Sequence, residues 1–134
     1  MGTAEIITTV LSIIAGLGWF SSTHWPSELD DAQDQLRQFP EVDIERLETL
    51  RGEAYHYYLK HHHAAPWDKP KYLKLFQNAI NNWAEAIKEE AVKVAESQGI
   101  ELGYEVKPWW EKYLPYGLIV GLGTILIISL ARRR

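Results

Sequence analysis

The side chains best suited to chemistry in this sequence are histidines, four of which cluster at position 56 and positions 61–63. Imidazole is the commonest metal ligand in proteins, so a short histidine tract is a candidate site for Zn, Cu or Ni. Successive side chains on a helix point about 100° apart, so His61, His62 and His63 cannot all ligate one ion. His56 and His63 lie seven residues apart on one helix face and are the predicted ligand pair. The alternative is a solvated helix end, where histidines interact favourably with the helix dipole.

Common reaction motifs are absent from the sequence. It contains no GxGxxG, GxxxxGK[ST], HExxH or GxSxG pattern. Because it has no cysteine, the chain has no disulfide, no thiolate zinc site and no cysteine nucleophile. The acidic run from Glu28 to Glu53 lacks the D-x-D-x-D-G loop of a calcium site. We therefore predict that the protein is not an enzyme and uses neither a cofactor nor a small-molecule substrate.

The chain has 134 residues, enough for one domain of modest size, and its charges are unevenly spread. Residues 6–20 and 114–131 carry no charge, whereas all but one of the 18 acidic residues lie between them. Phosphate binding needs a basic face, so this acidic middle argues against nucleic acid as a partner. One small basic spot, at Lys69, Lys71 and Lys74, is suited either to an acidic partner or to solvent alone.

The two uncharged segments predict transmembrane helices, because about 17–25 mostly apolar residues span a bilayer. The first helix would cover residues 3–20 and the second residues 108–131. Aromatic side chains are enriched at the headgroup layer. The predicted interfacial anchors are Trp19, Trp25, Trp109, Trp110, Tyr113 and Tyr116. The predicted fold class is an all-α membrane protein with two transmembrane helices flanking a small extramembrane helical domain, and the lipid bilayer is a predicted partner. The alternative is that the tryptophans pack in the core of a soluble domain.

The basic C-terminal end predicts the topology. Basic residues beside a span favour the cytoplasmic side, so Arg132, Arg133 and Arg134 indicate a cytoplasmic C-terminus. Two crossings would place the N-terminus in the cytoplasm as well. Residues 21–107 would then lie on the opposite face, which is periplasmic, extracellular or lumenal.

Small residues recur at helical spacing in both apolar segments. The first segment carries Thr8, Ser12 and Gly16, and the second carries Gly117 and Gly121 as a GxxxG motif. Such stripes allow close approach of two helices in lipid. They predict pairing of the two helices, self-association, or docking on another membrane-protein subunit. The alternative is that glycine is simply common in membrane helices.

Apolar periodicity in the middle segment predicts an antiparallel helical hairpin plus one shorter helix. The predicted helices cover residues 27–39, 43–63 and 69–98. Ser27 with Asp30 resembles a capping box, and Asp43 and Asp68 are predicted N-caps. Gly99 follows the last helix where a left-handed residue belongs. Trp83 lies in the middle of the apolar stripe of that helix and is predicted to be buried.

These features together predict a non-catalytic accessory or scaffold subunit of a larger membrane assembly. It would bind protein partners through its transmembrane helices and its helical domain. One alternative is a viral or phage membrane or envelope structural protein, which would share every one of these features. The other is a metal- or haem-binding electron-transfer subunit that uses the histidine cluster.

Overall fold

A computed structural model describes residues 2–100, which form four α-helices. They are α1 (Thr3–Leu17), α2 (Ser27–Leu36), α3 (Ile44–His63) and α4 (Lys69–Ser97). The predicted second span at 108–131 lies outside the described residues. So do the predicted anchors and packing residues beyond position 100 and the three terminal arginines. These are Trp109, Trp110, Tyr113, Tyr116, Gly117, Gly121, Arg132, Arg133 and Arg134.

Helix α1, which lies within the predicted first span, is part of the core of this domain. At 15 residues it is about 23 Å long, which is shorter than the ~30 Å hydrocarbon layer of a bilayer. One face is buried against α2 and α4. The buried side chains of that face are Ile6, Ile7, Val10 and Leu11. Between residues 2 and 100 no helix has the length and apolar character needed to cross a membrane.

The predicted two-span membrane fold and the predicted integral-membrane localisation are therefore wrong. The apolar side chains of α1 are buried by protein rather than by lipid. The predicted packing stripe Thr8, Ser12 and Gly16 lies on the exposed face of α1, opposite its buried face. The predicted role of this stripe, helix packing within lipid, required α1 to span a membrane. Gly18 ends the helix with φ of 60°, a conformation that favours glycine.

Helices α3 and α4 pack side by side, an arrangement compatible with the predicted antiparallel hairpin. The residue contacts show the direction, since Asp43 at the start of α3 meets Glu90 late in α4. At the other end Lys69, which begins α4, contacts His61 near the end of α3. Trp83 has no exposed surface, which confirms its predicted burial, and its Nε1 donates to Gln33 Oε1 at 2.7 Å. A buried indole with a hydrogen-bond partner ties α4 to α2.

The helix ends follow some of the predicted capping signals. The Asp43 carboxylate accepts a hydrogen bond from the Arg46 backbone N–H at 3.0 Å, as an N-cap does. Gly99 has φ of 66°, and Ile100 N–H donates to the Ala95 carbonyl at 2.8 Å. That pattern is the Schellman motif of a helix end. Asp68 occupies the N-cap position of α4, but its side chain makes no capping hydrogen bond.

Helix α2 differs most from its prediction. It ends at Leu36 rather than at residue 39, and Phe39 is buried in the turn that follows. The predicted capping box does not form, because Pro26 occupies the N-cap position and Ser27 is already the first residue of the helix; Asp30 bonds elsewhere. Its carboxylate accepts from Trp25 Nε1 at 2.7 Å and forms an ion pair with Arg51 of α3.

The connection between α1 and α2 is pinned to α4 by a buried amide. Asn81 accepts a hydrogen bond from the Phe20 N–H at 2.9 Å and donates to the Phe20 carbonyl at 3.1 Å. The Asn81 side chain thereby supplies the hydrogen-bond partners that the Phe20 N–H and carbonyl would otherwise lack. Phe20 itself packs edge-on against Phe76, with ring centroids 5.5 Å apart. The amide therefore fixes how α1 joins the hairpin.

Candidate functional site

The most exposed large apolar side chain of the described residues lies at the end of the hairpin. Trp67 is 81% exposed, whereas Trp19, Tyr55 and Leu59 are 49%, 44% and 40% exposed. We call residues 60–74, which comprise the end of α3, the turn and the start of α4, the hairpin tip. An indole this exposed removes little apolar surface from water in the isolated domain, so packing does not explain its presence.

The turn that carries Trp67 is held by hydrogen bonds. The Ala65 carbonyl accepts from the Asp68 N–H at 2.9 Å and from the Lys69 N–H at 3.1 Å. Lys69 Nζ donates to the His61 carbonyl at 3.0 Å, which satisfies an end-of-helix acceptor of α3. Pro70 lies in the first turn of α4, where its missing N–H costs nothing. The indole is therefore presented on an ordered turn.

The hairpin tip that carries this indole holds four lysines and one aspartate, Asp68, which directly follows Trp67. Lys60, Lys71 and Lys74 are exposed on the two helices that flank the turn. The Lys71 ammonium lies 5.3 Å from the centre of the Tyr72 ring, within reach of a cation–π interaction. The structure thus places the basic spot noted in the sequence beside an exposed tryptophan. The signal for Trp67 in the sequence is a large aromatic side chain in a turn between two prolines, Pro66 and Pro70.

An aromatic cluster connects the hairpin tip to the core. Tyr58 lies 4.4 Å from the His62 ring and 5.4 Å from the Phe76 ring, measured between centroids. Trp25 lies at the centre of this cluster rather than at a membrane surface. Its ring is 5.5 to 6.3 Å from four other rings, and Arg51 lies 5.3 Å from its centre. The alternative interpretation of a tryptophan packed in the domain therefore applies to Trp25.

The predicted metal pair lies along the exposed surface of α3. His56 and His63 are both exposed, and seven helical residues separate them by about 10 Å along the axis. Among residues 2–100 no group of three or more histidine, cysteine, aspartate or glutamate side chains is placed to hold a metal ion. The structure therefore adds no further ligand to the predicted pair.

His61 has a perturbed environment. Burial, followed by the nearby charges of Lys69 and His62, holds the pKa of His61 below its ordinary value. Its Nδ1 is buried without a hydrogen-bond partner. The neutral form of His61 is favoured because burial penalises the charged form and protonation would place a second positive charge beside the Lys69 ammonium.

A second surface of opposite charge lies at the other end of the hairpin. A groove of about 600 Å³ runs between the first half of α3 and the second half of α4. We call it the acidic groove. Its lining residues are Asp43, Glu45, Arg46, Thr49, Leu50, Asn82, Glu85, Ala86 and Glu89. Four of these carry carboxylates and one is cationic.

The single cation of the acidic groove is already paired. Arg46 forms ion pairs with Glu89 at 2.8 Å and with Glu90 at 3.0 Å. Burial opposes ionisation of Glu90, but hydrogen bonds from Lys93, from the Asp43 backbone N–H and from Arg46 outweigh it, so the pKa of Glu90 is lowered. Glu90 occupies the place of an apolar residue in the sequence pattern, and its partners come from α3 and from its own next turn.

Comparison with protein-family models, curated proteins and solved structures finds no match to this chain. The chemistry of the site therefore rests on its own geometry. An exposed indole with ammonium groups around it resembles an interface anchor with a charged rim.

Proposed function

We propose that this protein is a non-catalytic accessory or scaffold subunit whose helical domain binds a protein partner through the hairpin tip. The observation that carries the proposal is the 81% exposure of Trp67 on a hydrogen-bonded turn between exposed lysines. The partner surface is acidic with an apolar recess, because it must complement ammonium groups and receive an indole.

Three physical arguments support the proposal. Tryptophan is among the residues that contribute most to binding free energy when a partner buries it. The hydrogen-bonded turn reduces the ordering cost of association, because the indole is already presented. The surrounding lysines accelerate encounter with an acidic surface and disfavour basic ones. The lack of any common reaction motif in the sequence accords with a binding role.

The test compares protein partners recovered by three forms of the tagged full chain. The forms are wild type, Trp67→Ala, and Trp19→Ala as a matched control that removes an exposed tryptophan outside the tip. We expect partners that wild type and Trp19→Ala recover equally and that Trp67→Ala recovers at least about tenfold less, a loss typical of an interface anchor.

Salt provides the second readout of this experiment. Surface charges are screened within about 3 Å at 1 M ionic strength, so the tip-dependent partners should elute at high salt. Replacing both Lys71 and Lys74 with glutamine should weaken recovery in the same direction. Equal recovery by wild type and Trp67→Ala contradicts the proposal.

A further inference from the structure

The hairpin tip and the acidic groove carry opposite charges and lie on the same two helices. The tip presents Lys71 and Lys74, both exposed. The groove presents Glu45 and Glu89, also exposed; Glu89 already pairs with Arg46, and the groove stays net acidic because its four carboxylates outnumber its one arginine. The two surfaces are therefore complementary in charge, and each belongs to every copy of the chain.

The groove also has room and a lining for the anchor of the tip. Its volume of about 600 Å³ falls within the range of sites that hold a ligand-sized group. Half-buried Leu50 supplies apolar surface between the carboxylates. Thr49 and Asn82 supply polar groups at the same level. An indole inserted here would meet apolar carbon, with acidic side chains around it.

A single copy cannot bring its own tip to its own groove. Both surfaces include residues of α4, a continuous helix over Lys69–Ser97. Lys71 and Ala86 are separated by about 23 Å along that helix, at 1.5 Å per residue. Contact between the two surfaces must therefore be intermolecular.

We propose that the hairpin tip of one copy docks in the acidic groove of a second copy of this chain. Trp67 packs against Leu50, and the lysines of the tip meet the glutamates of the groove. The contact joins two different surfaces, so each bound copy keeps one free tip or one free groove for further assembly. This inference rests on the proposed function, because it names the partner of the same tip.

The test uses sedimentation of the full chain and two charge-reversed variants. The tip variant combines Lys71→Glu with Lys74→Glu, and the groove variant combines Glu45→Lys with Glu89→Lys. In the groove variant Arg46 keeps its ion pair with Glu90. The control combines Glu28→Lys with Asp31→Lys, two exposed positions of α2 that lie outside both surfaces and give the same change in charge as the groove variant. Circular dichroism checks that each variant is folded.

We expect wild type and the control to associate at low salt, and each reversed variant alone to associate at least about tenfold more weakly. An equal mixture of the two reversed variants should associate again, since the acidic tip of one then meets the basic groove of the other. The inference is overturned if wild type remains monomeric. It is equally overturned if association survives either reversal, if the control loses it too, or if the mixture stays monomeric.

The outcome separates this inference from the proposed function. If wild type is monomeric while Trp67→Ala still loses another protein partner, the tip binds that partner and self-association is overturned. If Trp67→Ala loses no protein of any kind, including a second copy, both proposals are overturned.

Discussion

At the scale of single residues, the buried polar side chains of the described core are Gln33, Asn81 and Glu90, and each has partners. Gln33 accepts from the Trp83 indole, and Asn81 bonds both backbone groups of Phe20. Glu90 accepts from a backbone N–H and from two cations. A buried polar group costs free energy only when it lacks a partner, so these residues specify how the helices meet.

Glu90 should make the stability of the domain depend on pH. Its folded-state pKa is below the ordinary value of 4.5, so its contribution is present above that pH and is lost as pH falls through the folded pKa. Glu90→Gln should lower the free energy of unfolding by about 1.5–3 kcal/mol near neutral pH, the range for hydrogen bonds to charged groups. The difference from wild type should narrow below pH 4.5. Denaturant melts across pH measure it, with exposed Glu53→Gln as control; a difference that is constant with pH would contradict the assignment.

The two tryptophans of the hairpin should respond oppositely to truncation. Trp83 has no exposed surface, so Trp83→Ala should lower the free energy of unfolding by about 3–5 kcal/mol. Trp67 is 81% exposed, so Trp67→Ala should change it by no more than about 0.5 kcal/mol. Chemical denaturation followed by circular dichroism gives both values. A large loss of unfolding free energy for Trp67→Ala would mean that Trp67 packs within the domain rather than serving as a binding anchor.

At the scale of elements, Gly99 at the end of α4 and Gly52 within α3 differ in what the backbone requires at each position. Gly99 ends α4 in a left-handed conformation, as its place in the sequence predicts. Gly52 in α3 borders open space, since a Cβ there would meet nothing within 4 Å. Glycine is therefore required by the left-handed backbone at Gly99, whereas the structure shows no conformational or packing requirement for it at Gly52.

These two glycines form a matched pair for substitution. Gly52→Ala should raise the free energy of unfolding by about 0.5–1 kcal/mol, because alanine is the better helix former and the space is open. Gly99→Ala should lower it by about 1–2 kcal/mol, because φ of 66° places Cβ too close to the backbone. Thermal melts of the two single variants test the pair. If Gly99→Ala raises the melting temperature, the helix-end assignment at Gly99 is wrong; if Gly52→Ala lowers it, the expectation at Gly52 is wrong.

At the scale of the whole described domain, α1 completes the core that the hairpin begins. The hairpin face that includes Ile80, Trp83 and Ile87 is too broad for α3 alone to cover, and α1 and α2 both pack on α4 as well. An apolar helix of 15 residues that meets such a face is buried there without lipid. The hydrophobic effect is non-directional, so it favours burial of an apolar helix in lipid and burial against protein alike.

Substitutions in α1 should therefore act on folding. Ile7 has no exposed surface, so Ile7→Ala should lower the free energy of unfolding by about 2–5 kcal/mol. Ser12 is exposed on the opposite face, so Ser12→Ala should change it by no more than about 0.5 kcal/mol. Denaturant unfolding of the full chain compares the two. Equal stability of Ile7→Ala and wild type would show that α1 does not belong to the core.

Local chemistry in the sequence determined the parts of this protein that depend on neighbouring residues. The apolar stripe of α4, the cap at Asp43 and the left-handed Gly99 are set by contacts within a few residues, so their patterns predict them. The lysines of the tip were likewise visible as a basic spot. Each of these features would be recognised in any chain that carried the same segment.

The tertiary structure alone decided which surfaces remain exposed. Whether α1 is covered by lipid or by protein depends on a face of α4 some 70 residues away, and averaged hydropathy does not carry that information. The burial of Glu90 depends on Asp43 and Arg46, and that of Asn81 on Phe20, in each case across tens of residues. Trp67 is a candidate anchor only because no described element folds over the turn. Exposure is a property of the assembled helices, since it is set by what the rest of the chain leaves uncovered.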